Sequence, residues 1–335
     1  MKIRIYPGDD DGVDSVCREL KSGKVVALPT ETVYGLAADA LRENSCRKIF
    51  EIKMRPLVDP LIVHFHSTSQ LSKIAIVPEL LGRVGEKFWP GPLTVVLKKK
   101  RAVPDLVTAG RQSVAVRMPA LGLARMVLEK SGLLLAAPSA NPFGYVSPTR
   151  ADHVVESLGD KIGSVLDGGE CEIGLESTIL DLTDPEKPAI LRLGPIGEKE
   201  LEDALGQRVA LKVTSQNQGK NCEGLLAPGT LSKHYSPRVN LTLHSAGEME
   251  TIRLPYGIQG HANVYFQRPR HNRAAQPDTF WLSEGGDTKE AAKNLFELLR
   301  NLDRRGYRTV NLEKAPPGGL GDAINDRLQR AAAKS

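Results

Sequence analysis

The chain has 335 residues, 41% of them hydrophobic and 25% charged, a globular composition that excludes a disordered or fibrous protein. Its length is expected to form two domains rather than one core. A net charge of +5 permits an anionic small molecule or RNA as partner and demands neither.

From Lys24 to about Gly206, short apolar runs rich in β-branched residues alternate with longer amphipathic segments: KVVALP, LIVHF, PLTVVL, SVAVRMP, LLLAAP, STILDL and AILRLG. Each has the length of a strand. Helices are expected between them over Glu43–Lys53, Pro78–Phe88 and Thr149–Leu158, and in the last Ser147 or Thr149 can cap the first turn. For residues 1–212 this predicts an α/β domain with a twisted mixed sheet and flanking helices. Residues 213–238 are expected to be a linker: KVTSQNQGKNCEG is polar and aperiodic, and APGTLSKHYSPR is too proline-rich for a helix while carrying His234 and Tyr235. Alternation resumes over 239–335, with VNLTLH, ANVYFQ, TFWL and YRTVNLE as strands, GLGDAINDRLQRAA as a helix and a long helix over Thr288–Arg304. In that helix Ala292, Leu295, Phe296, Leu299 and Leu302 share one face, and Lys289, Lys293, Glu297, Arg300 and Arg304 the other. A smaller three-layer, Rossmann-like α/β domain is expected.

No apolar run reaches the length of roughly 20 residues that a membrane-spanning helix needs. The start, MKIRIYPGDDDG, lacks the apolar core of a signal peptide, so a cytoplasmic location without membrane contact is expected. Cys17, Cys46, Cys171 and Cys222 are scattered without a CxxC pair and are expected to be reduced thiols.

Chemistry-bearing residues fall at strand ends. PTETVYGLAADA, residues 29–40, follows KVVAL and sets hydroxyls at a carboxyl edge of the sheet, where open α/β folds bind ligands; a turn stabilised by Thr30 and Thr32 would use the same residues. In KMRP, residues 53–56, an extended segment turns Lys53 and Arg55 to one side, where they can hold a polyphosphate, although basic pairs are also common on solvated surfaces. His64 and His66 share a strand face in LIVHFH. A metal can use that spacing, yet no further ligand cluster accompanies it. AAPSANPFGYVSPT, residues 136–149, ends a strand with Ser139, Asn141, Ser147 and Thr149, polar groups suited to a nucleotide, and Gly144 lets backbone approach closely. Arg117 and Arg192 lie in otherwise apolar strands and are expected to face an anion, either a protein carboxylate or a ligand, because an unpaired buried charge costs several kcal/mol. Neither GxxxxGK[ST] nor GxGxxG follows a strand, so phosphates must be held by basic side chains.

Taken in order, PTETVYGL, KMRP, PLIVH, WPGPLT, VAVRMP, APSANPFG, YVSPT, GLESTILDL and ILRLGP resemble the YrdC family. APGTLSKHYSP and the closing domain resemble its two-domain form, the L-threonylcarbamoyladenylate synthases, so the resemblance covers essentially the whole chain. It implies that L-threonine, bicarbonate and ATP give threonylcarbamoyl-adenylate and pyrophosphate, with a divalent cation, normally Mg2+, on the phosphates. The adenylate would serve threonylcarbamoylation of an adenosine in tRNA, reached through tRNA itself or a tRNA-modifying transferase complex. By motif, Lys53 and Arg55 would be catalytic, and Thr32, His64, Arg117, Ala137 and Ser177 would surround threonine. Lys53, Arg55, Asp59, Ser113, Ser139, Asn141, Ser147, Arg192 and Tyr235 would contact ATP, with Tyr235 closing over the cavity from the linker. No protein side chain is implied as a metal ligand.

Met54 and Asp59 depart from the family's usual KGRP and following asparagine, and Leu193 replaces its usual proline. An aspartate beside triphosphate repels it unless it meets the metal or a ribose hydroxyl. Two other readings use the same basic sheet. One is a module that binds double-stranded RNA without catalysis; the other is a carbamoyl transferase of the hydrogenase-maturation type, which should add acylphosphatase and zinc-finger segments that these cysteines do not supply.

Overall fold

Each apolar run with β-branched residues becomes a strand in the computed structural model, which describes residues 3–120, 122–213, 228–229, 234–251, 256–269 and 273–333. The chain divides into two compact units. One comprises Met1–Phe143, Ser147–Glu172 and Glu176–Leu231; the other comprises Gly144–Val146, Ile173–Leu175 and Ser232–Ser335.

The larger unit runs β1 (Arg4–Tyr6), α1 (Asp10–Lys21), β2 (Val26–Leu28), β3 (Gly35–Asp39), α2 (Glu43–Lys53), β4 (Ile62–His64), α3 (Thr68–Ile74), α4 (Leu80–Phe88), β5 (Leu93–Lys98), α5 (Asp105–Thr108), β6 (Ser113–Arg117), α6 (Leu123–Ser131), β7 (Leu135–Ala136), α7 (Ala151–Leu158), β8 (Ser164–Leu166), β9 (Thr178–Asp181), β10 (Ala189–Arg192), α8 (Glu198–Leu205) and β11 (Ala210–Leu211). Its strands form one mixed eleven-stranded sheet in the order β1-β8-β2-β3-β7-β4-β6-β5-β9-β10-β11. The first strand and helix carry weak sequence signals: β1 has three residues, and α1 is announced mainly by Asp9, whose carboxylate accepts from the Gly12 N–H at 2.9 Å as an N-cap. By contrast α7 begins at Ala151 with Arg150 in the cap position and no side-chain cap. The expected cap by Ser147 or Thr149 is not made, because Ser147 donates to Glu176 and the Thr149 hydroxyl meets the His153 ring.

Alternation along the strands sorts two sheet faces. One face packs Val63, Val95, Val116 and Ile190 under Ile49 of α2, Ile74 of α3, Val84 of α4 and Leu201 of α8. On the other face Val13 and Val16 of α1 and Val127 and Leu128 of α6 cover Val26, Ala37, Leu135 and Leu166. Among the described residues, that cover lies over β2, β3, β7 and β8. Over β4, β6, β5, β9 and β10 the same face carries a cluster of strand residues alone, Ile62, Ala115, Val96, Ile179 and Leu191. A floor of small and branched side chains bordered by strand ends is thereby laid out for polar groups.

A β-bulge decides what β10 contributes to that floor. Ile190 pairs with Leu180 and Arg192 with Ile179, so the register shifts between them. Leu191 and Arg192 therefore both face the side of Ile179, whereas an unbroken strand would give Arg192 the parity of Ile190 and point it into the core under α8.

The smaller unit contains β12 (Asn240–His244), α9 (Ala246–Thr251), β13 (His261–Gln267), β14 (Thr279–Ser283), α10 (Thr288–Arg304), β15 (Thr309–Glu313) and α11 (Leu320–Ala332). Its strands are all parallel in the order β12-β15-β13-β14. Helices α10 and α11 pack against each other and against β14 and β12, while Met249 of α9 packs with Tyr265 on the opposite face. This is the three-layer arrangement expected. Ala292, Leu295, Phe296, Leu299 and Leu302 are buried, but so is Arg300, expected on the outer face. Its guanidinium donates to the Val146 carbonyl at 2.5 Å and lies 5.1 Å from the centre of the Tyr145 ring, contacts that recover the hydration its burial removes.

Ile49 is fully buried between α2 and the sheet. Ile49→Ala is expected to destabilise the larger unit by about 2–5 kcal/mol, seen as a lower urea midpoint with an unchanged slope.

Candidate active site

Lys53 ends α2, and the next residue, Met54, takes a left-handed conformation with φ 53° and ψ 40°. The expected extended KMRP segment is thus a helix C-cap. The turn, rather than strand parity, brings Lys53 and Arg55 into one cluster. Lys53 is 1% exposed, and its ammonium donates to the carbonyls of Ser139 at 2.6 Å and Asn141 at 2.5 Å. The Phe143 N–H returns a bond to the Lys53 carbonyl at 2.8 Å. Lys53 therefore fastens the loop 139–143 from beneath. Burial, with Arg55 adding to it, holds the Lys53 pKa well below the usual lysine range.

Arg55 is fixed by short-range bonds, Nε to the Asp59 carbonyl at 3.1 Å and Nη2 to the Pro60 carbonyl at 2.7 Å. Its Nη2 also stands 2.9 Å from the Asp59 carboxylate. Burial raises the Asp59 pKa, and the charges of Arg55, Lys53 and Arg192 oppose that rise. Arg55 is thus in contact with this fully buried carboxylate, while Lys53 and Arg192 act on it through their charge. Asp59, the departure from the family pattern, is the carboxylate partner of Arg55. Arg192, delivered by the bulge, donates to the Ser177 carbonyl and hydroxyl, both at 3.0 Å, and to the Pro228 carbonyl at 3.1 Å. The Ser177 hydroxyl also meets Thr94 Oγ1 at 2.7 Å.

The parallel β4–β6 register sets Ile62 beside Ala115 and His64 beside Arg117. Ser113 opens β6 and pairs with Lys98 of β5. The other end of these strands holds Arg117, which donates to the Gly91 carbonyl at 3.3 Å, to Thr32 Oγ1 at 2.9 Å and to Glu31 Oε1 at 2.6 Å. Thr32 is oriented in turn by Thr30, whose hydroxyl also accepts from the N–H groups of Thr32 and Val33. The turn reading and the binding reading of PTET describe one structure. Ala137 is half-buried beside Gly35. With His64, both residues line a small cavity of about 10 Å³ that also includes Thr30, Leu128 and Leu135.

His64 ends β4, so His66 lies beyond the strand and the two imidazoles do not share a strand face. Burial, and then Arg117, lowers the His64 pKa to about 3. Ser147 donates to Glu176 at 2.5 Å, both buried in the larger unit. Tyr235 belongs to the smaller unit, where its ring stacks on Phe296 at 5.6 Å between centroids and lies under the Arg327 guanidinium at 5.1 Å. Glu31, Thr94, Glu176 and Pro228 enter the network without having been singled out from the sequence. Glu31 and Glu176 were open to the argument applied to Arg117, since each is an acid inside a largely apolar motif.

Cys17, Cys46 and Cys171 are free and buried; Cys222 lies outside the described residues. Most of the 213–238 segment lies outside them too. No group of three or more His, Cys, Asp or Glu side chains able to hold a metal occurs among the described residues. Asp59 is committed to Arg55 and feels the charges of Lys53 and Arg192, so this donor set does not fit a protein-held Mg2+. No helix of the described residues is long and apolar enough to cross a membrane.

A mixed sheet with buried cations and hydroxyls at its strand ends, without a P-loop, defines an α/β protein that must hold phosphates by side chains. The sequence model of a family described as "Telomere recombination" matches residues 18–194, and that of "Threonylcarbamoyl-AMP synthase, C-terminal domain" matches residues 196–333. The threonylcarbamoyl-AMP synthase of Pyrococcus abyssi is 39% identical over 93% of this chain and 92% of its own. That of Bacillus subtilis is 36% identical over 97% and 94%. A crystal structure of Pyrococcus abyssi Sua5 complexed with L-threonine superposes with a TM-score of 0.85 at 35% identity, covering 99% of this chain and 98% of that one. This chain belongs to the two-domain Sua5/YrdC family of threonylcarbamoyl-AMP synthases.

The His64 shift has a measurable sign. Its folded pKa of about 3 lies below the unfolded value near 6.5, so between them the unfolded chain binds a proton that the folded chain refuses. Stability is full above pH 6.5 and is lost as pH falls toward 3. Urea unfolding is expected to show the wild type losing about 1 kcal/mol per pH unit more than His64→Gln below pH 6. Parallel pH dependences would contradict the assignment.

Proposed function

We propose that the rim of the sheet face formed by Ile62, Ala115, Val96, Ile179 and Leu191 in the larger unit is where this chain, a threonylcarbamoyl-AMP synthase, assembles its product. Its activity joins L-threonine, bicarbonate and ATP into threonylcarbamoyl-AMP for threonylcarbamoylation of tRNA. The observation that supports this placement is a chain of contacts across the sheet: Arg192 donates to the Ser177 hydroxyl, that hydroxyl meets Thr94, and Thr94 pairs with Arg117, which donates to Thr32 and stands beside His64.

The chemistry sets the roles. The amine of threonine attacks bicarbonate, a C–O bond breaks and water leaves, giving a carbamate. A carbamate oxygen then attacks the α-phosphorus of ATP, and the bond to the bridging oxygen breaks to release pyrophosphate. Negative charge accumulates at every step, so fixed cations and donors in a desolvated site do more for such a reaction than a nucleophilic side chain. Arg55 and Arg192 take the triphosphate, displacing part of the charge that Asp59 balances. Lys53 holds the loop of Ser139 and Asn141 against the nucleotide and adds its field from beneath. Ser113 and Ser147 complete the nucleotide side. Arg117 clamps the threonine carboxylate, with Thr32, Ala137 and Ser177 around the amino acid. His64 is neutral at working pH and serves as a hydrogen-bonding wall. Mg2+ would enter with the phosphates, since among the described residues no group of three or more His, Cys, Asp or Glu could hold it.

The titrated observable is pyrophosphate release that requires both threonine and bicarbonate. Arg192→Met, which keeps the length of the side chain and removes its charge, is expected to lower kcat/KM for ATP roughly a hundredfold with the fold retained by circular dichroism. A wild-type rate in that variant would remove Arg192 from the site.

A further inference from the structure

The conversion of threonine to a carbamate releases a proton, and the residues assigned to the reaction offer no group to receive it. His64 is held neutral by burial and by Arg117. Lys53 is a donor to two carbonyls, and Asp59 is paired with Arg55. Among the described residues, the carboxylate in contact with the Arg117 guanidinium is Glu31. Its side chain is 7% exposed, and one oxygen, Oε1, is taken by Arg117. The other, Oε2, is buried with no hydrogen-bond partner among the described residues. A buried carboxylate oxygen left without a donor costs about 1–3 kcal/mol, a deficit that a functional proton or ligand makes good.

Glu31 also lines a groove of about 210 Å³ within the larger unit, together with Thr30, Gly122, Gly168, Glu170 and Glu172. Glu170 and Glu172 are exposed. The turn on that side is fixed by Tyr34, whose hydroxyl donates to the Gly169 carbonyl at 2.7 Å and accepts from the Gly168 N–H at 3.1 Å. The groove thus has a rigid wall, a buried carboxylate on one side and solvent-facing carboxylates on the other.

We propose that Glu31 accepts the proton lost by the threonine ammonium and passes it to solvent along this groove. The inference rests on the placement of the threonine carboxylate on Arg117. In an α-amino acid the ammonium sits on the carbon beside the carboxylate, so a carboxylate on Arg117 brings the ammonium next to the acid that shares this guanidinium. Glu31 takes one proton, leaving a free amine. The nitrogen lone pair forms the N–C bond to bicarbonate, a C–O bond breaks, and the departing hydroxide takes the second amine proton and leaves as water. Protonated Glu31 then releases its proton to water in the groove, so charge and atoms balance with no further reactant.

Glu31→Gln keeps an oxygen for Arg117 and loses the proton acceptor. In the full chain, with saturating ATP and bicarbonate, it is expected to lower kcat for threonine-dependent pyrophosphate release about tenfold or more at pH 7.5, with the threonine KM within about threefold. The deficit should shrink as pH rises and threonine itself supplies free amine. Glu31→Asp, which retains a carboxylate, should keep kcat within about threefold of wild type. A wild-type kcat in Glu31→Gln, an equal loss at every pH, or a loss confined to the threonine KM would each overturn the proposal. If thermal unfolding shows that Glu31→Gln does not fold, Glu31→Asp decides, and a tenfold loss there counts against it. Arg117→Ala separates the underlying placement: an unchanged threonine KM would sink that placement, whereas a raised KM beside a silent Glu31→Gln would sink the proton role alone.

Discussion

The larger unit is organised around the cost of keeping cations out of water. Lys53, Arg55, Arg117 and Arg192 are 1%, 7%, 4% and 4% exposed, and each would cost several kcal/mol if left without partners. The structure meets that cost with directional oxygens rather than with equal numbers of carboxylates. Carbonyls of Ser139, Asn141, Asp59, Pro60, Gly91, Ser177 and Pro228 accept from the four side chains, while Asp59 and Glu31 supply the negative charge. Side chains held this way are fixed in place by several oxygens each, and under the proposed placement of the triphosphate they supply the preorganised positive charge that electrostatic catalysis requires.

The sheet makes such a site possible by being covered unevenly. Helices α1 and α6 protect one half of a face and leave the floor of Ile62, Ala115, Val96, Ile179 and Leu191 to strand residues. His64 and Arg117 stand side by side on β4 and β6, near where the covered half ends at β7. Polar side chains can gather at that border because the parallel β4–β6 pair carries two of them on one face, and because the bulge in β10 turns Arg192 to the same side. Without the bulge the sequence would bury Arg192 beneath α8.

Much of this was legible in the residues themselves. The apolar runs mark β2, β4, β5, β6, β7, β9 and β10 of the larger unit and β12 to β15 of the smaller, though not β1, β3, β8 or β11, and α2 and α10 fall on Glu43–Lys53 and Thr288–Arg304 as expected. What escaped was decided by tertiary contact or by single backbone torsions. A left-handed methionine is not a sequence signal, so the KMRP turn was taken for an extended segment. Arg300 fits the polar stripe of α10 by spacing, yet the Val146 carbonyl and the Tyr145 ring draw it inward. Ser147 has the composition of a helix cap and is instead claimed by Glu176. The two acids Glu31 and Glu176 stand inside motifs that were read for their hydroxyls, and only the fold reveals that each is the partner of a site residue.

The measurement that bears most directly on the cationic pocket is a crystal structure of this chain with ATP and L-threonine bound. The triphosphate should lie within hydrogen-bonding distance of Arg55 and Arg192, with the amino-acid carboxylate on Arg117. Density for the nucleotide on another face of the larger unit, away from Arg55 and Arg192, would contradict the account.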